Sequence, residues 1–275
     1  MFRAIHILTF CADDLPKLGE DDVTQLLVTG MMIALAGFLV LMPAWVLDPR
    51  TLDGAAIWTK PQKFNISLAL HFATLALLAQ QLPEQIRAGR VMRVTTYALL
   101  CAFLVETLYI IIQAARGTRS HYNFDTPIEG MIYAAMGVGA VAITGTALVL
   151  AIQIARYGDR SRRGLWLGSV IGLSLGFAAT LFFTSFLTEG RYVGAPLEGG
   201  GAVIPILGWS LEYGDLRPAH FVALHIMQIV PLLGWLSDRR GWNPVIVVIC
   251  GAQSLLGLAT FFLLRALAGQ PILTL

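Results

Sequence analysis

Apolar residues run in seven long blocks along this chain, at 24–47, 62–82, 95–114, 127–155, 164–188, 218–237 and 243–268. Each is long enough to cross a bilayer, which takes about 20 helical residues. The pattern predicts an all-α, polytopic membrane protein with seven transmembrane helices, here segments 1 to 7, forming one domain over 1–275. The polar breaks are mostly about ten residues and cannot hold a core of their own. The exception is 189–216, containing EGRYVGAPLEGGGAVIPILGWSLEYGD, whose glycines, aromatics and apolar run AVIPIL read as a structured or re-entrant cap, a pattern that fits a lid over an outward-facing pocket and also a passive surface loop.

Composition agrees with this pattern. The chain is 56% hydrophobic and 13% charged, with a mean hydropathy of +0.71, a balance that soluble domains do not show. Residues 1–23 are expected to be a short cytoplasmic segment without a removable signal, since their apolar run is short and no small-residue cleavage site follows. Cys11, Cys101 and Cys250 have neither a disulfide framework nor metal-ligand spacing. Eleven of the nineteen lysines and arginines fall on one side of the alternating loops, most densely in RYGDRSRRG. By the positive-inside tendency that side is cytoplasmic, with the N-terminus inside and the C-terminus periplasmic.

Helix punctuation explains some polar residues. Segments 2, 4 and 6 begin TKPQKF, TPIE and LRPAHF, with proline just inside the helix start, where its missing N–H costs little. Thr59 with Gln62 and Thr126 with Glu129 have capping-box spacing. Gly164, Gly168, Gly172 and Gly176 recur at every fourth position and share a face that permits close backbone approach. That face suits a neighbouring helix of the same chain, a homo-oligomer or other membrane subunit, or a flat cofactor. Membrane lipids are the expected surroundings, and no nucleic-acid partner is expected.

The remaining polar residues gather toward the outer side. Lys63, Ser67 and His71 share a face of segment 2, and Glu106, Tyr109 and Gln113 share one of segment 3. Segment 6 brings Arg217, His220, His225 and Gln228. His71, Glu106 and His225 all lie ~12 to 14 Å below the outer boundary at 1.5 Å per residue. Ionisable groups at such depth are costly unless paired, which marks them as functional. His220 lies nearer the surface and is rotated ~140° from His225, so the two imidazoles cannot share an ion. The expected partner of His220 is water or Asp215. Above this layer Lys60, Lys63, Arg116, Arg119 and Arg217, with His121, Asn123 and three helix N-termini, form a rim suited to an anionic headgroup. These cations could instead pair with Asp53, Asp125, Glu189, Glu198, Glu212 and Asp215.

Three chemistries fit. In the leading one His71, His225 and Glu106 ligate a transition metal, zinc or iron, in an intramembrane enzyme acting on a lipid-like or anionic substrate. Glu106 then serves as third ligand or general base, and Ser67 stabilises developing charge. In the second, His71 and His225 clamp a haem b whose propionates reach Arg116, Arg119 or Arg217. In the third the protein binds or transports an anionic amphiphile or quinone, with Lys60, Lys63, Gln113, His121, Asn123, His220 and Gln228 around it, and Pro43 and Pro231 permit helix movement. A retinal protein is disfavoured because segment 7 lacks a lysine.

The spacing from Ser67 to His71 is similar to the SxxxH of seven-helix zinc hydrolases of the ceramidase and adiponectin-receptor type. That family's other histidines form HxxxH in the last helix, whereas here HxxxxH stands in segment 6. KPQKF, QAARGTRSHYN and GWSLEYGDLRPAHFVALHIMQ together resemble a group of bacterial multi-pass membrane proteins. That resemblance implies a multi-pass protein of the bacterial inner (cytoplasmic) membrane and no particular activity.

Overall fold

The computed structural model describes residues 18–188, 190–195, 201–204 and 206–272. Most of the expected cytoplasmic segment, Cys11, Glu189 and Glu198 lie outside the described residues. The chain runs α1 (Asp22–Leu47), β1 (Thr51–Leu52), β2 (Ala55–Ala56), α2 (Thr59–Ala79), α3 (Glu84–Arg87), α4 (Arg90–Arg116), α5 (Pro127–Tyr157), α6 (Arg163–Ser185), β3 (Tyr192–Val193), β4 (Gly214–Asp215), α7 (Arg217–Arg240) and α8 (Pro244–Leu267). β1 pairs antiparallel with β2, and β3 with β4.

Among the described residues six helices, α1 and α4 to α8, are long and apolar enough to cross a membrane. The chain is thus a helical, multi-pass membrane type. α2 differs in composition because it carries Lys60, Gln62, Lys63, Asn65 and His71, and it is packed against α1, α4, α5 and α7. Twelve of its 21 residues are buried, against five of 26 in α1 and five of 24 in α8. α2, the long helix that falls short of the composition needed to cross a membrane, is therefore the inner one, enclosed by helices whose outer faces are oily.

The expected helix punctuation holds at Thr126, whose hydroxyl accepts from the backbone N–H of Glu129 at 3.2 Å. It fails at Thr59. α2 has no side-chain cap; Thr59 instead accepts from Trp45 Nε1 at 3.0 Å, and Gln62 donates to the Phe38 carbonyl at 3.0 Å. Both polar side chains lie on the α1 side, where cross-helix partners outcompete a local cap.

Two large apolar cores fill the bundle, with a smaller cluster of Ile57, Trp58 and Ala114 toward the capped end. One joins α1, α2, α4 and α5 through Leu27, Phe72, Leu75, Leu99, Phe103 and Leu150, with Phe72 and Phe103 edge to face at 5.2 Å. The other joins α6, α7 and α8 through Phe183, Ile226, Val230 and Ala259. The four aligned glycines of α6 are buried against Met227, Val230, Pro231 and Gly234 of α7. The face considered for an oligomer or a cofactor is thus filled by the chain's own helix.

One end of the bundle is closed by polar ties. Asp21 caps α1 and accepts from Arg87 at 2.6 Å, the Asp159 amide donates to the Gln81 carbonyl, and Asp238 accepts from the first amides of α6. The opposite end carries the β1–β2 hairpin, the loop after α4 and the segment between α6 and α7. Among the described residues of the last of these, β3 pairs with β4 and Val203 bridges Ser210.

Candidate functional site: a cationic cavity under the capped end

Three loops meet at one carboxylate. Leu52-Asp53-Gly54-Ala55 makes a two-residue hairpin turn in which both Asp53 (φ 51°) and Gly54 (φ 78°) have positive φ, the backbone form that Asp-Gly favours. The turn presents Asp53 to Arg119 Nη2 at 2.6 Å and to Arg191 Nη2 at 3.1 Å. Tyr122 donates to the Leu187 carbonyl at 2.5 Å and lies under the Arg191 guanidinium. The hairpin, the α4–α5 loop and the α6–α7 segment are thereby locked together.

Burial would push the Asp53 carboxyl up, but the Arg119 hydrogen bonds and the charge of Arg191 outweigh it and hold it below the ordinary range. A depressed carboxyl contributes stability that is present above the unfolded value of about 3.9 and is lost as pH falls through the folded value. Tryptophan fluorescence of the cap, where Trp45 and Trp58 sit, should therefore stay flat from about pH 5 to 8 and change only below about pH 4. Asp53→Asn should show the altered signal throughout. A wild-type transition centred above pH 5 would refute this role for Asp53.

Behind the lock is a cavity of about 40 Å³ lined by Ile57, Lys60, Ile110, Arg119, Ser120, His121 and Arg191, among others. It has room for about three water-sized atoms, the size of the terminal oxygens of one oxyanion. Lys60 donates to Ser120 Oγ at 2.6 Å and lies 5.9 Å from the centroid of the Phe64 ring. Among the described residues no carboxylate is within ion-pair distance of Lys60 or Lys63. Lys63 donates instead to the Leu207 carbonyl at 2.7 Å. His121 sits between Phe64 and Tyr133, with ring centroids at 5.9 and 5.7 Å. Burial, with the Lys60 charge added, pushes His121 down to about 3, so its ring is neutral and adds no cation at physiological pH.

The other rim residues are already engaged. Gln113 is fully buried; its amide nitrogen donates to the Tyr109 hydroxyl and the Arg119 carbonyl, and its oxygen accepts from Arg116 and Thr118. Asn123 donates to the Arg119 carbonyl and accepts from the Asp125 amide. Both hold the α4–α5 loop in shape, leaving the cavity to its neighbours. Arg116 is exposed beside Gln113. Arg217 pairs with Asp215 at 2.6 Å and donates to the Gly208 carbonyl and Tyr192 hydroxyl. With Asp215 so used, His220 Nδ1 lies 2.9 Å from Thr184 Oγ1 and not on Asp215.

The deeper layer does not assemble as matched depth suggests. His71 is buried with Nε2 3.2 Å from the Ile143 carbonyl of α5. Glu106 is buried against Gly139, one turn earlier on the same helix, and its Oε1 has no hydrogen-bond partner. His225 instead stacks edge-on against Phe221 at 4.3 Å, near Gln228. Ser67 is exposed. Among the described residues no three His, Cys, Asp or Glu side chains come together as a metal-holding group. The set His71, Glu106 and His225 therefore does not form the expected ligand sphere: the first two face α5 and the third stacks on its own helix.

Three residues gain importance that spacing alone did not give them. In the sequence Asp53 stands out only as one of several counterions, although the Asp-Gly turn that aims it is readable there. Ser120 and Arg191 reach the cavity from loops and have no helical periodicity to mark them. No protein-family model, curated protein or solved structure matches this chain.

Proposed function

We propose that the protein binds the anionic head of a membrane amphiphile in the cavity around Lys60, with α2 as a seventh span and the capped end on the periplasmic side of a bacterial inner membrane. The observation that carries this reading is Lys60, a partly buried lysine bonded to a neutral hydroxyl, in a cavity where three cations, Lys60, Arg119 and Arg191, share one nearby carboxylate, Asp53. An oxyanion there would accept charge-assisted hydrogen bonds, each about 1.5 to 3 kcal/mol. The apolar lining from Leu52, Ile57 and Ile110 and the position at the end of an oily bundle favour an anion that carries a hydrocarbon tail.

The test uses sulfate and hexyl sulfate, which present the same oxyanion without and with a tail and do not titrate near neutrality. Hexyl sulfate should bind the purified protein in neutral detergent at least about tenfold more tightly than sulfate, and Lys60→Gln should weaken it by about tenfold or more, equivalent to about 1.4 kcal/mol. Equal affinity for the two probes would overturn the amphiphile, and unchanged affinity in Lys60→Gln would overturn the site.

A further inference from the structure

We propose that Glu106 is a proton site tied to the Lys60 cavity, so that the anion and a proton are taken up together. This rests on the anion-binding reading above and adds a second ligand to it.

Glu106 is 4% exposed and its Oε1 lacks a donor. Ile110, one helical turn further along α4, lines the cavity, which puts Glu106 ~6 Å beneath the cavity floor at 1.5 Å per residue. The carboxyl fits against α5 where Gly139 has no side chain; a Cβ there would lie 3.2 Å from Glu106 Cδ and closer still to Oε1. A carboxylate at such depth with an unbonded oxygen is costly, so its ionised form depends on nearby positive charge.

The neighbours that supply charge are few. From α2 it is Lys60, which lines the cavity above Glu106 and donates there to Ser120 Oγ. His71, also on α2, has its Nε2 held at the Ile143 carbonyl. From α5 the charged or titratable residues are Glu129 and Tyr133 toward the cap and Arg156 and Tyr157 at the far end, with none between. α1 has Asp22 alone, at its far end. Tyr109 on α4 itself is bonded to Gln113 and His121 lies above, while Lys63 on α2 is held by the Leu207 carbonyl and Arg119 and Arg191 in the cavity are paired with Asp53. Lys60 is therefore the shared element.

An anion bound to Lys60 cancels the positive charge that favours ionised Glu106, and Glu106 then takes a proton from solution. Conversely, protonating Glu106 removes a competitor for Lys60 and strengthens anion binding. Linkage requires both effects to be equal in free energy. Anion affinity therefore rises as pH falls, by up to about tenfold per pH unit where one proton is taken up.

The test is calorimetric titration of the protein with hexyl sulfate, repeated with sulfate, at one pH in two buffers of different ionisation enthalpy. Wild type should take up protons, up to one per anion bound. Glu106→Gln should still bind the anion but take up none, whereas His121→Gln should keep the uptake. The wild-type buffer comparison stands alone if Glu106→Gln fails to assemble. Binding without proton uptake, uptake persisting in Glu106→Gln, or its loss in His121→Gln overturns the coupling and leaves the anion site standing. No binding of either probe overturns both.

Discussion

Gly168→Val is expected to leave little folded protein, while Gly168→Ala gives a milder loss. α6 and α7 make the most extensive helix pair of the bundle, and at Gly168 the approach is backbone to backbone. A Cβ there would lie 2.8 Å from the Val230 carbonyl oxygen and 3.0 Å from Pro231 Cα. Neither atom can rotate away as a side chain would, so the helices must separate. Pro231 lies inside α7, which leaves α7 less able to absorb the shift by sliding, because the proline ring itself fills the groove beside Gly172. Overpacking costs about 1 to 3 kcal/mol in ordinary cores, and the two branches of valine are expected to exceed that here. Thermal unfolding in detergent, with elution profile as a second reading, measures the effect. A Gly168→Val protein that melts within about 2 °C of wild type, less than about 1 kcal/mol for a chain of this size, would show that the two helices are not held by this contact.

Helix positions were legible because a long apolar block is written in one dimension, although among the described residues six of the long helices, without α2, are long and apolar enough to cross a membrane. The seven long helices fall on the seven apolar blocks to within a few residues. What depth along a helix cannot give is direction around it. His71, Glu106 and His225 read as one layer, yet the layer splits because His71 and Glu106 lie against Ile143 and Gly139 of α5 while His225 packs on Phe221. Gln113 and Asn123 read as ligand groups because polar side chains near a cluster of cations look available. Asn123 is consumed by a carbonyl and an amide of an irregular loop, and Gln113 by the Arg119 carbonyl of that loop and the Tyr109, Arg116 and Thr118 side chains, which a sequence does not display. The glycine row of α6 was legible in kind, and its partner α7 became clear only with the fold. The cationic rim was legible as charge, but which cations are neutralised depended on Asp53 and Asp215 choosing Arg119, Arg191 and Arg217 and leaving Lys60.

Asp215→Ala should release the segment over the site. The Asp215 side chain is fully buried and accepts four hydrogen bonds, from the Ser210 and Arg217 amides at 2.9 and 3.0 Å and from Arg217 Nε and Nη2 at 2.9 and 2.6 Å. Alanine would strand a guanidinium that is 23% exposed and leave the Ser210 amide without its acceptor. Removing one partner of a buried pair costs about 3 to 5 kcal/mol, and the remaining exposure of Arg217 puts this one near the lower end. The loss falls on the cap before the helices, since the described residues between 201 and 216 meet the bundle at a few points, among them Leu207 on Lys63, Gly208 on Arg217, Trp209 on Phe221 and Gly214 against Ala266 of α8. Limited proteolysis should cut this segment in Asp215→Ala while the helical core stays intact, with Asp215→Asn intermediate because it keeps one acceptor. With Leu207 withdrawn, Lys63 becomes a second uncompensated cation near Lys60, so hexyl sulfate should bind with less discrimination over sulfate. Wild-type protease resistance in Asp215→Ala would mean that the cap is held by other contacts, and the segment could then no longer be regarded as a latch hinged on Asp215.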